Sequence, residues 1–124
     1  EDGSRGRVSA VTSSLPDDET SVVEVVEFVA RTSAPAALED AIRSSIDLLK
    51  AARGYRGHVL GRSAERASTV MLLVYWTSLE SHTRDFRGSP EGRRWHAALD
   101  PHLAQPPRVV HCLAEDRQGR EGRS

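Results

Sequence analysis

The chain has 124 residues, enough for one domain, and its 17 basic and 18 acidic side chains nearly cancel, so no charge excess argues for nucleic acid or an anionic membrane as a partner. One cysteine, Cys112, excludes an internal disulfide and fits a reducing compartment. No apolar run approaches the ~20 residues that span a bilayer, and the polar N-terminus shows no signal peptide, so the expected location is the cytoplasm.

Residues 1–20 are rich in Gly, Ser, Asp and Glu, and 115–124 share that character. Such segments bury too little apolar surface to offset their ordering entropy, so both are expected to be flexible tails flanking a domain over 21–114. Ser21 to Ala30 reads as the first strand, with Glu24 and Glu27 on opposite faces. A glutamate in such a strand is either an edge residue or a buried carboxylate facing a cavity, its pKa raised by desolvation. Ala34-Pro35 opens a helix whose inward stripe is Leu38, Ala41, Ile42, Ser45, Ile46 and Leu49, and Gly54 closes it. Tyr55 to Arg62 is the second strand, where Gly57 and Gly61 suggest close approach of a backbone or ligand. Ser63 to Ser68 joins it as a hairpin to the third strand, Val70 to Trp76, which is apolar on both faces.

Thr77-Ser78-Leu79-Glu80 reads as a capping box with Thr77 as the cap, and Leu79, His82 and Phe86 share the inward face of the turns that follow. The helix pauses at Arg87-Gly88 and restarts at Ser89-Pro90, a cap followed by proline at the first helical position. Trp95, Ala98 and Leu99 form its apolar stripe, and Asp100-Pro101 ends it because a residue before proline avoids the α region. Arg108 to Ala114 is the last strand. The order β-α-β-β-α-β is that of a ferredoxin-like α+β fold, an antiparallel sheet with two helices on one face. The second apolar face of the third strand then needs cover, and a second copy related by two-fold symmetry is the simplest: a homodimer with the sheets face to face.

Gly54-Tyr55-x-Gly57-His58, Tyr75-Trp76-Thr77-Ser78-Leu79-Glu80-Ser81-His82, Phe86, Ser89-Pro90-Glu91 and Trp95 together resemble the antibiotic biosynthesis monooxygenase group of the dimeric α+β barrel superfamily over about residues 22–114. The resemblance implies a small-molecule cavity between helices and sheet in each subunit, and a link to secondary metabolism, particularly aromatic polyketides. The superfamily hosts cofactor-free oxygenases, haem-degrading enzymes, polyketide cyclases and decarboxylases, so the fold does not settle the reaction. Ser89 to His96 is similar in spacing to the axial-histidine region of the haem-degrading branch, but Phe86 stands where that branch tends to have tryptophan and the first strand lacks its asparagine.

The five histidines, at 58, 82, 96, 102 and 111, show no metal-binding spacing, and there is no phosphate loop or nucleophile elbow, so catalysis without metal or cofactor is expected. His82 is the first candidate base, because a helix N-terminus and partial burial both favour neutral imidazole. His58 and Tyr75 are the other catalytic candidates. Trp76, Phe86, Tyr55, Arg87 and His111 are candidate substrate contacts, although a buried aromatic also reads as packing, Arg87 as a solvated side chain and His111 as dimer packing. The functions that fit are a cofactor-free oxygenase on an electron-rich phenol or anthrone, a non-oxidative cyclase, dehydratase or decarboxylase with the same base, and a ligand-binding dimer without chemistry.

Overall fold

A computed structural model of the chain describes residues 16–32, 35–116 and 118. Most of the expected tails lie outside these residues. Within them, Thr20 is fully buried and the Asp17 carboxylate lies 2.5 Å from the Arg56 guanidinium.

Strands β1 (Val22–Val29), β2 (Tyr55–Arg62), β3 (Thr69–Trp76) and β4 (Arg108–Leu113) form one antiparallel sheet in the order β2-β3-β1-β4. Helices α1 (Ala36–Lys50) and α2 (Pro90–Leu99) carry the crossovers. This is the ferredoxin-like α+β arrangement the element order implies. The strand alternation sets its faces: Val22, Glu24, Val26 and Phe28 of β1 and Val70, Leu72, Val74 and Trp76 of β3 are all buried on the helix side. Leu38, Ile42 and Leu49 of α1 and Trp95 and Leu99 of α2 close that layer. Each such side chain removed from water contributes about 1.5–3 kcal/mol. Glu39 on α1 is also buried. It is held by two hydrogen bonds, 2.7 and 2.9 Å, from the Arg62 guanidinium, which pins α1 to the β2 edge.

The other face is also apolar, as expected from β3. Met71 and Leu73 share it with Val23, Val25 and Val29, and Val59 and Val110 there are half exposed, at 50% and 49%. No described helix covers it.

Four local expectations need correction. Ser78, not Thr77, is the cap: its Oγ accepts from the Ser81 N–H at 3.2 Å, while the Thr77 N–H is committed to the Gly54 carbonyl. Leu79 precedes the inward turn and is exposed, so only His82 and Phe86 share the buried face. Asp100 keeps α-helical torsions (φ −49°, ψ −44°), and the chain tightens into a 3-10 turn, Asp100–His102, rather than leaving the helical region before Pro101. Gly61 has open space where a Cβ would stand, so no described backbone approaches it.

Candidate active site

Between β3 and α2 the chain makes a π-helical turn, Ser81–Phe86, marked by a hydrogen bond from the Arg87 N–H to the His82 carbonyl five residues earlier. Such turns insert one residue into a helical path and often re-aim side chains at functional sites. Glycines hold both ends. Gly54 (φ +90°) lies so close to the turn that a Cβ would stand 2.3 Å from Ser81 Oγ. At the far end a Cβ on Gly92 would stand 2.0 Å from the Phe86 carbonyl oxygen. Ser89 Oγ donates to that carbonyl at 2.6 Å and accepts from the Gly92 N–H at 3.0 Å, so the cap of α2 also fastens the turn.

The turn drives His82 into the protein, where its ring stacks on Trp76 with centroids 5.5 Å apart and planes 26° apart. Both ring nitrogens are engaged. Nε2 lies 3.1 Å from Glu24 Oε2, and Nδ1 lies 2.8 Å from His111 Nε2. The indole N–H of Trp76 donates to Glu24 Oε1 at 2.9 Å. Sheet register explains the assembly: on β1, Glu24 stands opposite Val74 of β3 on one side and opposite His111 of β4 on the other. Glu24 and His111 therefore share the helix-side face, and His82 closes over them.

Burial dominates the electrostatics. It pushes the Glu24 carboxyl up from 4.5 to about 7, against the Trp76 N–H and the Arg87 charge, which both favour the carboxylate. Burial pulls His82 down from 6.5 to about 4, with His111, Arg87 and His96 adding in the same direction. His111 is also lowered, by burial and then by Arg87. Near neutral pH the imidazoles are uncharged and the carboxyl is poised between its two forms.

Glu24 and His82 line a cavity walled by Leu72, Phe86, Trp95 and Leu99, with the exposed side chains of Arg87 and His96 at its rim. The space open to the centre of a water-sized sphere is about 40 Å³, enough for water but far below the ~300 Å³ at which drug-sized ligand pockets begin. An aromatic ligand therefore needs the rim side chains to move aside.

The sequence candidates divide in three. His82, Trp76, Phe86, Arg87 and His111 meet at this cavity or in the chain of hydrogen bonds behind it. Tyr55 and His58 pair with each other, Oη to Nδ1 at 2.7 Å, and His58 lines a separate hollow with Ile42 and Ile46 of α1. Tyr75 is buried on the opposite face of the sheet, across from Val23, and does not join either group. Glu24, not among the catalytic or substrate-contact candidates, is the centre of the site. Its only sequence signal is its place in an apolar strand, the buried-carboxylate reading above. Among the described residues no group of histidine, cysteine and carboxylate side chains converges as metal ligands would, and no helix is long and apolar enough to cross a membrane.

The profile of a family described as antibiotic biosynthesis monooxygenase matches residues 21–98. An uncharacterised protein of Bacillus subtilis, YczJ, is 38% identical over 73 residues, which are 59% of this chain and 77% of that protein. Among solved structures, a Bordetella bronchiseptica chain named for the same family is 27% identical, with a TM-score of 0.72 over 77% of this chain and 98% of the other. A Streptomyces coelicolor monooxygenase, from the gene ActVA-Orf6 and in complex with nanaomycin D, is 19% identical, with a TM-score of 0.70 over 85% of this chain and 96% of that one. SnoaB of Streptomyces nogalater, a cofactor-independent oxygenase, is 21% identical, with a TM-score of 0.61 over 81% and 96%. At these last two identities the likeness is one of fold.

Proposed function

The chain belongs to the antibiotic biosynthesis monooxygenase family, and we propose that it is a small-molecule enzyme of the cofactor-free monooxygenase type, acting on an aromatic or polyketide-like substrate with an acidic C–H or phenolic O–H. The observation that carries this reading is the Glu24 carboxyl, 3.1 Å from His82 in an apolar cavity and with its pKa raised to about 7. A general base works best when its pKa lies near the working pH, and desolvation makes its carboxylate more reactive. His82, with both nitrogens engaged, acts through Glu24, and Trp76 fixes the other carboxylate oxygen.

The chemistry then runs on the substrate's own electrons. Glu24 takes the proton from an anthrone carbon. The carbanion reduces O2 and combines with it as a peroxide anion. Protonation and loss of water leave a carbonyl at that carbon, with one oxygen atom gained and one released as water. Arg87 at the rim stands where it can meet a phenolate or carboxylate on the entering substrate. That a neighbour of the same fold acts as a cofactor-independent oxygenase, and another holds nanaomycin D, supports the substrate class. The open apolar face of the sheet supports a homodimer joined there, which sedimentation of the wild type against Val110→Asp tests.

The test of function is product mass after incubation with an anthrone in air and under nitrogen. The reading expects a product in which one oxygen replaces two hydrogens, formed only in air and lost in Glu24→Gln. Loss of water or carbon dioxide regardless of air assigns the non-oxidative reaction instead.

A further inference from the structure

Glu24 is buried from solvent, yet a base that cycles must gain and lose protons. The cavity offers one route, but bound substrate fills it. A second route stands behind the carboxyl. Glu24 Oε2 lies 3.1 Å from His82 Nε2, and His82 Nδ1 lies 2.8 Å from His111 Nε2, with the His82 and His111 rings 5.0 Å apart. His111 sits on the edge strand β4 and is only half buried, and its remaining nitrogen, Nδ1, makes no hydrogen bond among the described residues. We infer that His82 and His111 form a two-imidazole proton path through which the Glu24 carboxyl exchanges its proton with solvent at β4 while the cavity is occupied.

The path has two forms that differ by one proton. In the loaded form Glu24 is protonated and donates to His82 Nε2, His82 Nδ1–H donates to His111 Nε2, and His111 carries its proton on Nδ1. Ionisation shifts each proton one place outwards. The Glu24 proton moves to His82 Nε2, the His82 Nδ1 proton moves to His111 Nε2, and the His111 Nδ1 proton leaves to water. The result is a carboxylate accepting from His82 Nε2–H, with no imidazolium at either end of the step. Because each histidine carries one proton in both forms, burial does not oppose the transfer as it would oppose a charged ring. Stacking on Trp76 holds the His82 ring so that both of its nitrogens stay in register. The charged and titratable groups around the path are Arg87 after the π-helical turn and His96 and Asp100 at the rim of the cavity. Arg87 favours the carboxylate and so the unloaded form.

This path deepens the reading of Glu24 as the base and rests on it, but its test needs no turnover. In the full chain labelled with 15N-histidine, NMR between pH 5 and 9 reads which nitrogen of each ring carries the proton. The path predicts that His82 and His111 change from Nδ1–H to Nε2–H together, at one midpoint shared with Glu24, and that neither becomes imidazolium on the way. In Glu24→Gln the switch is lost and His82 keeps one tautomer throughout. In His111→Phe, at a half-exposed position that tolerates an apolar ring, the His82 midpoint moves by about one pH unit or the switch disappears. A wild-type His82 fixed in one tautomer over the whole range overturns the path, as does an unchanged midpoint in His111→Phe. An intact joint switch in a protein that leaves every anthrone untouched supports the path and counts against the oxygenase reading alone.

Discussion

At the β2 edge of the sheet, the half-buried Tyr55 and His58 pair, hydroxyl to Nδ1, at 2.7 Å. At its centre, Glu24 and His82 lie 3.1 Å apart beneath the π-helical turn. Both pairs join a histidine to an acidic partner on the helix side. Burial moves both histidines downwards, with the charge of Lys50 adding to the effect at His58. The partners differ more. Burial lifts the Tyr55 hydroxyl further from neutrality, whereas it lifts the Glu24 carboxyl to about 7. Desolvation thus disables one acid as a base at physiological pH and readies the other. The inner pair also continues into Trp76 and His111, while the outer pair ends where it began.

The widest separation between the two pairs is expected in catalysis. Glu24→Gln keeps the shape and the Trp76 contact but removes the base, and lowers turnover of an anthrone by about 10²–10⁴-fold, whereas His58→Ala changes it by less than about threefold. Oxygen uptake under saturating substrate measures both.

The next separation is in the pH dependence of stability. Glu24, raised from 4.5 to about 7, contributes stability that is complete below pH 4.5 and lost as pH rises towards 7. His82, lowered from 6.5 to about 4, contributes stability that is complete above pH 6.5 and lost as pH falls towards 4. Between those ordinary values the unfolded pair holds one proton on the imidazole and the folded pair holds one on the carboxyl, so the two slopes cancel. Glu24→Gln removes one of them. The variant gains stability with rising pH relative to wild type, on the order of 3 kcal/mol across that window. Urea unfolding at several pH values reads the difference, and His58→Ala, which removes a histidine whose pKa burial lowers, gives a difference of the opposite sign.

Backbone positions sharpen the comparison. Gly92→Ala drives a Cβ into the Phe86 carbonyl that ends the turn, and costs roughly 2–3 kcal/mol. Gly54→Ala is strained both by its positive φ and by Ser81. Gly61→Ala on β2 meets nothing and stays within about 0.5 kcal/mol. Smallest of all, Tyr55→Phe removes one half-exposed hydrogen bond and costs about 0.5–1 kcal/mol by thermal unfolding.

Much of this architecture is legible in the sequence. Alternation and β-branched runs place all four strands within a residue or two, and Ser89-Pro90 marks the restart of the helix where Ser89 indeed caps it. The apolar second face of β3 is legible too. The π-helical turn is not, because it is held by contacts of Gly54 and Gly92 with residues distant in the chain or across a break, and its effect is to leave Leu79 outside. His82 is readable as inward, but its partners are not. Pairing Glu24 with His111 requires the β1–β4 register, and two strands separated by more than 75 residues carry no local signal of it. Tyr75 and Trp76 are neighbours with equal claims in the sequence, and only strand phase decides that Trp76 faces Glu24.

The central claim is that burial, relieved only by Trp76 and Arg87, poises the Glu24 carboxyl at neutral pH. Carboxyl 13C NMR of the labelled protein, with Glu24→Gln to assign the signal, measures it directly. The account predicts one glutamate titrating near pH 7. A Glu24 midpoint near 4.5 would contradict it and return the carboxyl to a structural role.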